Sequence, residues 1–291
     1  IRHGPGRGGD PDHRLHRGVG GKALQGGLRG EHQGHLALCG ALPGIGRVAP
    51  QGFKLRGIVG PTEMATRLLS NHAVTRATSL EQRLEHLRFM VEALGHSAEL
   101  TSLYVGYANG DFFLLRRVAS AAERNDLAAP EETVFLVQSV DHPDGAARGR
   151  FIYLDSSLAV LANIERPDYA ADYDPRSREW YAQALATRGQ IITSPYPFFT
   201  TGMIGTTVAR QADASGAADA VVGADIRLGS IERALSEQKA TPGTCVVLAN
   251  ASGQIVVDED GRLRINNGTP LTPLDATGDP VLAQLMPIVR T

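Results

Sequence analysis

Thiols are scarce in this 291-residue chain: Cys39 and Cys245 lie 206 positions apart and form no CxxC pattern. That excludes a disulfide framework and a structural zinc site of the usual kind. Aromatic residues make up 5% of the chain, with a single tryptophan, and the formal net charge is -2. Without a basic excess to neutralise phosphates, nucleic acid is not expected as a ligand. No GxSxG, HExxH or Walker pattern occurs, so a hydrolase or nucleotide-using enzyme has no visible machinery. The one long uncharged run, Gly189 to Ala209, is 21 residues long but carries two prolines, three glycines and five threonines. It reads as two β segments turning at Thr200-Thr201-Gly202, not as a membrane span.

The small net charge hides an asymmetry. Residues 1–60 hold 9 Lys and Arg against 3 Asp and Glu, a net of +6, which leaves the other 231 residues with 20 against 28, a net of -8. The same 60 residues contain 17 of the 33 glycines and 5 of the 9 histidines. So glycine-rich a stretch loses much backbone entropy on folding, and it is expected to be disordered or non-native, as a shifted reading frame in a GC-rich gene would produce. A start at Ile1 suggests a piece of a longer protein. Gly4-Pro5-Gly6-Arg7-Gly8-Gly9 satisfies GxGxxG only on paper, having no strand before it. His13, His16, His32 and His35, with Cys39 nearby, have zinc-like spacing but no core to hold a metal. Asp258-Glu259-Asp260-Gly261 reads as a solvated turn, and His142 as a surface histidine in a Pro/Gly loop.

Beyond Pro61 the letters change. Leu68, Leu69, Leu80, Leu84, Leu87, Val91 and Leu94 recur at threes and fours and predict a long helix over 61–95. Residues 101–118 predict a hairpin turning at Asn109-Gly110, with further strands at 133–140 and 150–154. Asp174-Pro175 is a helix start, because Asp caps free amides and Pro fits the first helical position. That helix is expected to stop at Arg188-Gly189. A strand at 220–228, a helix at 230–238 and strands at 244–249 and 254–257 follow, the last pair opening a smaller, unfinished α/β unit.

The block Tyr173-Asp174-Pro175-Arg176-Ser177-Arg178-Glu179-Trp180-Tyr181 gathers two arginines, two tyrosines and the only tryptophan within nine positions. Its bland reading is packing, with Arg178 paired to a surface carboxylate. Its functional reading is a pocket, in which a guanidinium holds a carboxylate bidentately and aromatic faces accept an ammonium. Tyr196 and Asp225 are the counterparts, Asp225 being a lone acid in Val221-Val222-Gly223-Ala224-Asp225-Ile226 that requires a partner.

The run Leu103 to Asp111, the Tyr173–Tyr181 block, Ser194-Pro195-Tyr196 and Gly223-Ala224-Asp225-Ile226 resemble the double Cache (dCache) sensor domain of bacterial transmembrane receptors. The resemblance covers about residues 61–260. It implies an α/β (α+β) fold: a long N-terminal helix over 61–95, then two PAS-like modules with antiparallel sheets, a membrane-distal one at 96–230 and an incomplete proximal one at 231–291. It implies that Tyr173, Arg178 and Trp180 hold the carboxylate of an α-amino acid and that Tyr181, Tyr196 and Asp225 surround its amino group. No catalysis, cofactor or metal is implied. The expected setting is extracytoplasmic, membrane-anchored through segments absent from this chain and paired as a homodimer along the helix. Rival readings are a sensor for another carboxylate or amine, a ligand-free spacer in which Asp225 has an internal partner, and a glycoside-type hydrolase pairing Asp225 with Asp174 or Glu179.

Overall fold

The computed structural model describes residues 36–42, 45–49, 53–212, 220–237, 245–250, 252–258 and 271–289. Gly4–Gly9, the histidines at 13, 16, 32 and 35 and residues 259–261 lie outside them. Residues 1–60 were expected to be disordered or non-native, yet strands β1 (Leu36–Leu42) and β2 (Ile45–Ala49) pair within that segment. A composition averaged over 60 positions conceals the local apolar run Leu36-Ala37-Leu38.

Helix α1 spans Phe53–Ser70, about 27 Å at 1.5 Å per residue, and does not continue to Gly95 as the leucine spacing predicted. Local side-chain bonds interrupt it. Asn71 Nδ2 donates to the Arg67 carbonyl, His72 caps a 3-10 turn at Ala73–Arg76, and Ser79 Oγ accepts from Gln82 N–H to start α2 (Leu80–Leu84). Gln82 Oε1 returns the bond by accepting from Thr78 N–H, so this stretch favours a new cap over helix continuation. Helix α3 (Leu87–Gly95) completes the layer.

The chain then builds an antiparallel sheet from β3 (Leu100–Gly106), β4 (Phe112–Arg117), β5 (Phe135–Asp141), β6 (Arg148–Leu154) and β7 (Val160–Glu165), with α4 (Ala121–Asp126) between β4 and β5. The Asn109-Gly110 turn forms as predicted, with Gly110 at φ 90° and the Tyr107 N–H donating to the Asp111 carbonyl. Strand β7 escaped the sequence reading because it is a mostly exposed edge without apolar alternation. Helices α5 (Pro167–Asp172) and α6 (Glu179–Thr187) flank a 3-10 turn at Pro175–Ser177 that Asp174 caps. Strands β8 (Gln190–Ile192), β9 (Tyr196–Pro197), β10 (Ile204–Gln211) and β11 (Val221–Arg227) finish a nine-stranded sheet of order β7-β6-β5-β4-β3-β11-β10-β8, with β9 on β10. Helix α7 (Leu228–Ser236) leads to β12 (Cys245–Asn250) and β13 (Ile255–Asp258), which join β1 and β2 in a four-stranded sheet. The mixed α/β architecture, with its N-terminal helix, large antiparallel sheet and second small sheet, agrees with the fold class read from the sequence.

Alternation along the strands sends side chains to two covered faces. Leu103, Val105, Phe113 and Leu115 meet Leu69, Met90 and Leu94 of the helical layer, while Tyr104, Phe112, Leu114 and Leu136 face α5 and α6. Each large apolar side chain fully buried there contributes about 1.5 to 3 kcal/mol. On the helical face one buried ion cluster ties α2 to the sheet. Arg83, 1% exposed, donates to Asp111 Oδ2 at 2.6 Å and to Asp141, and His142 holds Asp111 Oδ1 through both its ring nitrogen and its backbone N–H. His142, expected as a surface histidine, is part-exposed and holds a buried aspartate. Burial alone would raise the Asp111 pKa, but the Arg83 and His142 bonds outweigh it and hold it below the ordinary value.

Removing Arg83 would leave the buried Asp111 and the half-buried Asp141 without their cation, so Arg83→Leu should cost about 3 to 5 kcal/mol in urea unfolding at pH 7. With its folded pKa depressed, Asp111 contributes fully above its unfolded pKa and loses that contribution as pH falls through the folded one. The penalty of the variant should therefore shrink in acid, and a penalty independent of pH would contradict this account.

Candidate functional site

The site is built on the other face of the sheet by strand register. Thr207 on β10 lies opposite Asp225 on β11, Asp225 opposite Ser102 on β3, and Ser102 opposite Arg116 on β4. These four make one polar row across four strands. Two residues along, the next row runs through Gly223, Tyr104, Leu114 and Gln138. Glycine is required at 223, because a Cβ there would lie 2.1 Å from the Tyr104 ring. The ring instead crosses β11 and reaches into the first row.

Asp225 is 7% exposed and accepts three short hydrogen bonds, from Ser102 Oγ, Tyr104 OH and Thr207 Oγ1, all at 2.7 Å. A carboxylate offers about four lone-pair positions, so one remains for another donor. Burial raises the Asp225 pKa, and the three hydroxyl bonds pull it only part of the way back. Burial also drives the phenols of Tyr104 and Tyr173 well above their ordinary value, so both stay neutral donors.

The cover comes from the segment around α6 and from the β9–β10 connection. Trp180 meets Tyr104 edge to face at 4.9 Å, Tyr173 packs on Phe112 at 4.6 Å and stacks on Tyr169 at 5.3 Å. Tyr196 OH reaches Thr207 Oγ1 at 2.6 Å, and the fully buried Gln138 bonds Thr200 at 3.1 Å, tying the Phe198–Thr200 loop to the sheet. A cavity of about 40 Å³ lies between sheet and cover. Eight of its fifteen lining residues are aromatic in a chain that is 5% aromatic overall, so the aromatics are concentrated here. Arg178, half-buried, lies over the Tyr173 and Phe199 rings at 5.8 and 5.5 Å, and no carboxylate pairs with it among the described residues.

Of the six residues singled out in the sequence, Tyr173, Arg178, Trp180, Tyr196 and Asp225 line this cavity. Tyr181 does not. It is buried behind Trp180, ring to ring at 5.6 Å, one layer away from the opening. The surface ion pair imagined for Arg178 belongs to Arg176, which holds Asp174 at 2.7 Å. Asp174 is thereby engaged outside the cavity, and Glu179 is exposed and accepts from Gln183, so neither forms a carboxylate pair with Asp225. Sequence reasoning missed Ser102, Tyr104, Arg116, Gln138 and Thr207. Their positions in apolar strands gave one weak signal, polar side chains where burial was expected; their convergence is a matter of register.

No protein-family model matches the sequence. Among curated proteins the chain is similar to adenylate cyclase 1 of Rhizobium meliloti, 28% identical over 72% of this chain and 31% of that protein. It is similar to the methyl-accepting chemotaxis protein PscA of Pseudomonas syringae pv. tomato, 31% identical over 49% of this chain and 23% of that protein. It is also similar to the methyl-accepting chemotaxis protein PctB of Pseudomonas aeruginosa, 25% identical over 66% of this chain and 29% of that protein. The chain thus spans less than a third of these relatives. A looser likeness joins it to the ligand-binding domain of the Pseudomonas fluorescens chemoreceptor CtaA, solved with L-valine: TM-score 0.46, 18% identity, 76% of this chain and 73% of that one. The resemblance to bacterial receptor sensors agrees with the chemotaxis relatives. Among the described residues, no helix is long and apolar enough to cross a membrane.

A carboxyl with a raised folded pKa stabilises the fold below its unfolded pKa, near 3.9, and that contribution is lost as pH rises through the folded value. Ionised Asp225 is therefore a cost to the free protein at pH 7. Asp225→Asn should melt at or above the parent temperature at pH 7, with the difference narrowing toward pH 4. A drop of many degrees in a differential scanning experiment would mark Asp225 as a structural anchor instead.

Proposed function

We propose that this chain is the sensing part of a bacterial transmembrane receptor and that the cavity binds a free α-amino acid. The observation that carries the reading is the pairing of opposite charges within one aromatic enclosure: Arg178, without a carboxylate partner among the described residues, and Asp225, buried with a lone-pair position left over. A zwitterion satisfies both at once. Its carboxylate takes the guanidinium fork of Arg178 beside Tyr173 and Trp180, and its ammonium takes Asp225 beside Tyr196. Tyr181 supports Trp180 from behind in this arrangement. The aromatic walls add cation–π attraction for the ammonium and exclude water, which strengthens each charged contact. The chain performs no catalysis in this reading. The chemotaxis receptors among its relatives support the assignment, and the cyclase leaves open an enzymatic output elsewhere in a longer protein.

Such a ligand touches two separate parts of the fold, the sheet through Asp225 and the cover through Arg178 and Tyr196. Any difference in its affinity between two placements of the cover shifts their populations, which is all that signalling requires. We place the domain outside the cytoplasm and anchored by segments beyond this chain. Met64 and Leu68, 56% and 52% exposed and one turn apart on α1, support a homodimer along that helix.

Isothermal titration of the full chain with the standard amino acids should show one or more binding at 1:1. Arg178→Ala and Asp225→Asn should each weaken binding by about 10- to 100-fold, the worth of one charge-assisted contact. Absence of binding by every amino acid, from a protein that unfolds cooperatively, would sink the reading. Met64→Ser with Leu68→Ser should lower the dimer fraction in sedimentation equilibrium, and an unchanged fraction would remove α1 as the interface.

A further inference from the structure

The amino-acid reading above leaves one cation in the cavity without a role. Arg116 on β4 lines the cavity and is 5% exposed. Two acids lie near enough for their charge to reach it, Asp225 and Glu123, and neither bonds it. Glu123 pairs with Arg227 through Oε1 and accepts the Ala119 N–H on Oε2 at 2.7 Å. Asp225 accepts from three hydroxyls, and its remaining lone-pair position is not taken by Arg116. Arg116 hydrogen-bonds to neither of them, and its buried Nε meets no acceptor among the described residues. A guanidinium carries five donors and keeps its charge, so leaving it buried and unbonded is costly.

Register fixes where this cation stands relative to the ammonium site. Arg116 and Asp225 are separated by Ser102 alone in the polar row, two strand spacings or about 10 Å between backbones. A ligand whose ammonium rests on Asp225 thus has a second cation across the row from it, in addition to Arg178. The charges do not balance for a neutral amino acid. Arg116, Arg178 and Asp225 sum to one positive charge, and a zwitterion leaves that sum unchanged.

We propose that the cavity selects acidic amino acids of the aspartate and glutamate class, with the α-carboxylate on Arg178 and the side-chain carboxylate on Arg116. The second carboxylate brings the enclosure to neutrality and supplies the acceptors that Arg116 lacks. An amide side chain of the same shape offers one oxygen and two unwanted donors to the same fork.

The test is a titration of the full chain with aspartate, asparagine, glutamate, glutamine and valine at one pH and ionic strength. At least one acid should bind about tenfold or more tighter than its own amide. In Arg116→Gln the ratio of acid to amide affinity should fall to near one, while Arg116→Lys, which keeps the charge, should retain a preference for the acid. Neutral amino acids binding as tightly as the acids to the parent protein would overturn this inference and leave the amino-acid reading intact. No binding by any of the five, extended to the other standard amino acids, would overturn both. Should Arg116→Gln fail to unfold cooperatively, the acid-to-amide ratio of the parent protein decides by itself.

Discussion

A sheet covered on both faces is the constraint from which the rest of this structure follows. Strands β3, β4 and β5 are buried almost throughout, so neither alternating set of side chains meets bulk water. Each set must find its own partners. One set is aliphatic and aromatic and closes against α1 and α3; the other includes hydroxyls, a carboxylate and a guanidinium, and it closes only partly against α5 and α6. Polar groups drawn into such a place carry a desolvation cost that bonds must offset.

The two faces meet that cost differently. Around Arg83 the charges are matched inside the protein: two aspartates hold one guanidinium, a histidine holds one of those aspartates, and the cluster ties helix to sheet. Around Asp225 only hydroxyls are supplied, and the buried Arg116 Nε meets no acceptor among the described residues. A closed network gives rigidity. An open one gives a place where a molecule of complementary charge is stabilised, at the expense of the empty protein. The aromatic cover suits that task, because rings exclude water without competing for the charges.

The cover is tied to the sheet by a short set of polar bonds. Tyr196 to Thr207 and Gln138 to Thr200 tie the loop after β8 to the polar rows beneath it, and Thr193 at its start bonds Thr207 through side chain and backbone. A ligand bridging the same two layers adds to those links, so binding and the placement of the cover are coupled by construction.

Much of this was legible in the chain itself. The Asn109-Gly110 hairpin, the Asp174-Pro175 cap, the stop at Arg188 and the strand over 221–227 follow from local chemistry, since each depends on residues within a few positions. The clustered arginines and aromatics of 173–181 were equally visible, and five of the six residues singled out line one cavity. The helix predicted over 61–95 broke because capping bonds of His72 and Ser79 compete with a periodicity that counts only apolar positions. Strands at 36–49 were hidden by the composition of their surroundings. The sequence by itself determined that a cation, an acid and aromatic rings would be available, because residue type and local spacing set those. Tertiary structure alone decided that Ser102 and Tyr104, more than 120 residues from Asp225, would hold it, that Tyr181 would stand behind the wall, and that Arg116 would enter the cavity. Strand register makes those choices, and register is set by pairing between segments far apart in the chain.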